Sequence, residues 1–135
     1  MNRALFSSAT EHWATPKAVY AALDAEFGFT LDPCPLHSEA AAGLTMSWSG
    51  ERVYVNPPYG FGVDRWLEKR KEAALAVYLL PSRTDTAWWH DHAMKADEIR
   101  FLRGRLKFGD AKNSAPFPSA VLVYRVNPHH GREVT

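Results

Sequence analysis

Apolar residues first recur with a helical period at Val19, Leu23 and Phe27, which share one face of a helix. Thr15 is placed to cap that helix, Pro16 suits its first position, and Gly28 stops it. Phe29, Thr30 and Leu31 then read as a short strand that ends at Asp32, because Pro33 and Pro35 forbid a regular element beyond it. Residues 36–50 show no clear period apart from a helical turn over 39–42. Arg52, Val53, Tyr54 and Val55 are strand-like and stop at Asn56, where two prolines follow. The spacing predicts a helix over about 62–74, with Val63, Trp66, Leu67 and Ala74 inward and Glu68, Lys69, Lys71 and Glu72 facing water.

Residues 75–80 are a continuous apolar run closed by Pro81, the pattern of a buried parallel strand. A helix over about 85–96 carries Trp88 and Trp89. Segments 99–102 and 106–108 flank Gly104 and read as two strands or one bent strand. A proline-containing loop over 109–118 leads to a last buried strand over 120–124. The polar ends, 1–10 and 126–135, read as an arm and a tail around one domain, 11–125. Strands alternating with helices predict an α/β fold with a mostly parallel sheet. Such sheets bind ligands beyond the C-terminal ends of their strands, and two strand ends here carry polar residues, Asp32 and Asn56.

Composition narrows the function classes. A net charge of +1 argues against a globally basic nucleic-acid binder but leaves room for a local basic stripe. Arg83, Arg103, Arg105 and Lys107, with Arg100, form such a cluster; they read either as phosphate contacts or as a solvated face. The single cysteine, Cys34, excludes an internal disulfide framework and a multi-cysteine zinc site, and the six histidines lack metal spacing, so no metal is expected. No apolar run is long enough to span a bilayer and no basic-then-apolar leader opens the chain, which predicts a cytoplasmic protein without a membrane partner. The five tryptophans read as core packing or as the lining of a base-accepting pocket.

The sharpest chemistry lies in Asn56-Pro57-Pro58-Tyr59. The prolines fix two φ angles, remove two backbone donors and hold Asn56 out of the helical region. What remains is a stiff loop of acceptors beside an aromatic ring. That suits a planar ring with an amino group, although two prolines after a strand also make an ordinary turn.

The tetrapeptide matches the catalytic motif of amino-group methyltransferases. Over about 11–125 the chain resembles the short, phage-type DNA N6-adenine methyltransferases, a Dam-like group. Carriers of the resemblance are Trp13-Ala14-Thr15-Pro16, Leu31-Asp32-Pro33-Cys34, Trp48, the tetrapeptide, Trp66, Lys69, Leu80-Pro81, Thr84-Asp85-Thr86, Trp88-Trp89, Gly104-Arg105-Leu106 and Phe108. The resemblance implies a truncated Rossmann-like methyltransferase fold with S-adenosylmethionine as cofactor and double-stranded DNA as substrate, in the cytoplasm of a bacterial host. Trp13, Thr15 and Pro16 would contact the methionine part of the cofactor. Asp32, with Pro33 and Cys34, would lie near its amino group, and Asn56 would border it. Asn56 and Pro57 would hold the adenine amine while Pro58 stiffens the loop and Tyr59 stacks on the flipped base.

Such a sheet ordinarily has seven strands. Only residues 35–51 separate Cys34 from Arg52, and each parallel crossover needs roughly a dozen residues. About five strands are therefore expected, with one flank lost. That leaves an edge near residues 29–32 for the arm around Leu5 and Phe6, or the second copy of a homodimer, to cover. The Gly-rich cofactor loop is replaced by Asp32-Pro33-Cys34-Pro35, and the acid for the ribose has no obvious counterpart, Glu39 being a guess. Other amine substrates, RNA adenine or a glutamine side chain, stay open, as does a non-catalytic nucleic-acid-binding relative.

Overall fold

The computed structural model describes residues 14–35, 40–59, 62–108 and 114–125. Trp13, the arm 1–10, the tail 126–135 and Glu39 lie outside them. The elements run α1 (Lys17–Phe27), α2 (Ala40–Thr45), β1 (Arg52–Val55), α3 (Val63–Glu68), β2 (Leu75–Pro81), α4 (Ala87–Asp91), β3 (Glu98–Phe101) and β4 (Ser119–Tyr124). Single 3-10 turns extend α3 over Lys69–Glu72 and follow α4 over Ala93–Lys95. No helix among the described residues is long and apolar enough to cross a membrane.

The fold is α/β, with a four-stranded mixed sheet in the order β1-β2-β4-β3. Only β1 and β2 pair in parallel, while β4 is antiparallel to both neighbours. The expected mostly parallel sheet of about five strands is thus corrected in number and in sense. The fifth strand shrinks to one parallel bridge from Leu31 to Val53. Prolines 33 and 35 end the segment before a second rung can form. The described residues between β3 and β4 hold no crossover helix, and the chain returns beside β3 as an antiparallel neighbour. The expected strand at 106–108 is loop.

Three of the four strands still run the same way, since β2 and β3 are both antiparallel to β4. Their C-terminal ends, at Val55, Pro81 and Phe101, share one edge of the sheet. β2 and β4 are buried along their whole length and form the centre of the core. Register places Tyr54, Val77, Val123 and Arg100 on one face, and Val55, Tyr78, Leu122 and Ile99 on the other. α1 covers the first face: Tyr20 meets Tyr54 edge-on at 5.1 Å, and Glu26 takes Arg100 in two hydrogen bonds of 2.7 and 2.6 Å. α3 and α4 lie on the second, where Trp66 accepts from Tyr78 through its carbonyl and Trp89 packs on Phe101.

α1 ends as expected, with Gly28 at φ 63° and its N–H on the Asp24 carbonyl. Its start differs. Pro16 occupies the cap position and no side chain caps the helix, because the Thr15 hydroxyl is engaged elsewhere in the fold. Trp48, Trp66 and Trp89 are core residues and Trp88 is half-buried. Gly43 lets α2 approach the loop after residue 31: a Cβ there would collide with the Pro33 carbonyl and stand 2.7 Å from the Trp66 ring.

Candidate active site

The Asn56 side chain leaves the C-terminal end of β1 on the α1 face and is 3% exposed. Its Nδ2 donates to Thr15 Oγ1 at 3.0 Å, and its Oδ1 accepts from the Tyr59 hydroxyl at 2.7 Å. Thr15 Oγ1 lies 2.7 Å from the Tyr54 hydroxyl, and the Tyr59 hydroxyl also reaches the Leu79 carbonyl at 3.2 Å. A polar chain therefore runs from Tyr54 through Thr15 and Asn56 to Tyr59 and the backbone of β2. Burial raises the pKa of both phenols, so Tyr54 and Tyr59 keep their protons and can donate at any working pH.

Thr15, Asp32, Cys34 and Asn56 line one cleft of about 360 Å³, together with Ala14, Lys17, Tyr20 and Pro35. Four residues predicted for the cofactor thus meet in one cavity, of a size typical for small-molecule sites. Pro16, half-buried, and Pro33, buried, adjoin lining residues in sequence but do not line it themselves. Charges of both signs line the cleft: Lys17, at the N-terminal end of α1, is positive and Asp32 is negative. Asp32 also accepts from the Cys34 N–H at 3.1 Å, which fixes the loop that replaces a Gly-rich turn.

Burial, with help from the Asp32 charge, pushes the Cys34 thiol up to about 12. At neutral pH it is a neutral wall of the cleft and not a nucleophile. Lys17, Tyr20 and Tyr54 escaped the sequence reading. Tyr54 had a usable signal, since it precedes Asn56 by two residues and a strand repeats its face with that period.

Tyr59 is 4% exposed, with its ring packed at steep angles against Phe108 and Phe117 at 6.3 and 5.6 Å. In this arrangement the residue meets Asn56 through its hydroxyl, and its ring is part of a buried aromatic cluster. Pro57 is buried and Pro58 half-buried.

Arg83, Arg103, Arg105 and Lys107 are all exposed, on loops that leave the same sheet edge as Asn56. None makes an ion pair among the described residues; Arg83 lies over the Phe117 ring at 5.8 Å. Gly104, at φ 74°, turns the chain between Arg103 and Arg105. Arg100 leaves the cluster, because Glu26 and Glu98 neutralise it at 2.6 Å each. Among the described residues no group of three or more histidine, cysteine or acidic side chains is placed to hold a metal ion.

Comparison with known proteins adds one finding. The family model described as DNA N-6-adenine-methyltransferase (Dam) matches residues 4–124. No curated protein and no solved structure gives a significant match to the chain.

Proposed function

The chain belongs to the DNA N-6-adenine-methyltransferase (Dam) family, and from that premise we propose that it transfers a methyl group from S-adenosylmethionine to the N6 amine of an adenine flipped out of duplex DNA. Membership of the family implies DNA adenine-N6 methyltransferase activity. The observation that carries the finer reading is the cleft in which Asn56 meets Thr15, Asp32 and Cys34 at the end of β1.

The cleft suits the cofactor's amino-acid end, whose carboxylate and ammonium match the Lys17 and Asp32 sides. When bound, S-adenosylmethionine supplies an electrophilic methyl on a sulfonium. The protein's task is to make a poor nucleophile competent, because the N6 lone pair is delocalised into the purine. Asn56 Oδ1 and the Pro57 carbonyl accept the two N–H bonds of the amine, which favours a pyramidal nitrogen with a localised pair. The same acceptors stabilise the positive charge that grows on nitrogen, and they are in place before reaction. Rigid prolines hold them in line with the cleft.

Base flipping costs a few kcal/mol. The four exposed cations on the Asn56 edge would hold the backbone while it happens. Stacking of the flipped base on Tyr59 requires Phe108 and Phe117 to move aside.

The test is single-turnover methylation of duplex DNA with saturating cofactor, read as N6-methyladenine by mass spectrometry, with RNA and a glutamine-containing protein as parallel substrates. Wild type should modify the DNA. Asn56→Ala should lose about a hundredfold in rate, the worth of one preorganised acceptor, while keeping the fold. Asn56→Asp retains an acceptor and should keep partial activity. An Asn56→Ala rate equal to wild type would reduce the tetrapeptide to a turn.

A further inference from the structure

Thr15 has one proton and two lone pairs, and its neighbours decide how each is used. Asn56 Nδ2 donates to Thr15 Oγ1, which fills one lone pair. The Tyr54 contact at 2.7 Å could run either way by geometry alone. Burial settles its direction. Tyr54 is 1% exposed, and among the described residues Thr15 is the one hydrogen-bond partner of its hydroxyl. If Thr15 were the donor, the phenolic proton would be buried without an acceptor, which costs more than the bond returns. Tyr54 therefore donates, and the second lone pair of Thr15 is filled.

One group on Thr15 remains, its own proton. Thr15 lines the cleft, so a ligand bound there is the acceptor within reach of that proton. Local structure makes no competing claim, because Thr15 does not cap α1. Thr15 thus offers the cleft a donor and no acceptor, two residues before the Lys17 cation and the start of α1.

We propose that Tyr54 is a positioning residue for the ligand: by filling Thr15 Oγ1 from behind, it commits the Thr15 hydroxyl to donate to a carboxylate of the molecule bound in the cleft. The inference rests on the cofactor reading above, and assigns its carboxylate to the Thr15–Lys17 side. Tyr54 itself touches no ligand. Its ring is fixed by Tyr20 and Phe29, at 5.1 and 5.3 Å, so loss of the hydroxyl alone leaves the packing in place.

The experiment compares two ligands by calorimetry: S-adenosylhomocysteine, which carries the amino-acid end, and methylthioadenosine, which lacks it. Tyr54→Phe should weaken S-adenosylhomocysteine about tenfold, the worth of one charge-assisted hydrogen bond, and leave methylthioadenosine unchanged. Thr15→Val should do the same and Thr15→Ser should bind as wild type. Combining Tyr54→Phe with Thr15→Val should add nothing further, since both act through one hydroxyl.

A merely structural tyrosine would lower thermal stability and weaken both ligands alike, or neither, and that result overturns the proposal. Thr15→Val carries the same ligand contrast should Tyr54→Phe fail to fold. If wild type binds both ligands and no variant separates them, Tyr54 has no such role while the cofactor reading stands. If wild type binds neither, the cofactor reading falls and the proposal with it.

Discussion

Replacing Tyr59 by Phe separates two roles that the tetrapeptide's last residue could have. The ring is kept, so contacts to Phe108 and Phe117 persist. Only the hydroxyl goes, and with it the 2.7 Å bond to Asn56 Oδ1 and the 3.2 Å contact to the Leu79 carbonyl. Both acceptors are buried, and each hydrogen bond lost is worth about 1 kcal/mol, so the two together should cost about 2 kcal/mol of stability. For a chain of this length that is a fall in Tm of roughly 6 °C. The same loss removes one of the contacts that hold the Asn56 amide in the geometry that accepts the amine. A penalty of about 1.4 kcal/mol on the transition state gives about a tenfold slower chemical step. Single-turnover methylation at saturating cofactor and DNA measures that step directly, and thermal melting measures the rest. A Tyr59→Phe enzyme with the wild-type rate would mean that the hydroxyl does not orient Asn56, and that the residue contributes only a ring face.

Arg105→Ala should weaken binding to duplex DNA and reduce the slope of affinity against salt by about one charge; an unchanged slope would make the cationic loops a solvated surface. Gly43→Ala should destabilise the protein by about 2 kcal/mol, read in denaturant unfolding, since the added methyl meets the Pro33 carbonyl and the Trp66 ring and neither can give way. A midpoint equal to wild type would show that α2 shifts freely against that loop. Cys34 should resist alkylation at pH 8, because its thiolate forms only toward about 12 in the folded protein; reactivity should grow as pH rises to that value or on unfolding. Rapid modification of the folded chain at pH 8 would refute the buried, neutral thiol.

What the sequence made legible is what local physics controls. Val19, Leu23 and Phe27 with a following glycine set α1 to within two residues, and the run 75–80 announced a strand buried on both faces. Direction was not legible, because a continuous apolar strand such as 119–124 reads the same whether its neighbours run with it or against it. Thr15 shows a second limit. Its position before a helix suggested a cap, yet Tyr54 and Asn56, 39 and 41 residues away, take its hydroxyl instead. Asn56 and Asp32 could be found because strand ends in α/β folds are where ligands bind. Lys17 and Tyr20 could not, since a lysine and a tyrosine on a helix look like surface and core until the cleft beside them is seen. Arg100 was grouped with the free cations by sequence proximity, but Glu26, from a distant helix, neutralises it.

The place of β4 bears on how the chain can fold as it is made. It is the last of the described strands in sequence but sits inside the sheet, paired on one side to β2 and on the other to β3. Until residues 119–124 are available, β3 has none of the described strands beside it and β2 has an open edge over Ala76–Pro81. A nascent chain stalled before that point carries every residue of the Asn56 cleft and still cannot close its sheet. Closure of this sheet waits for β4 to leave the ribosome, and until then the exposed edge of β2 is the surface on which such a chain would aggregate.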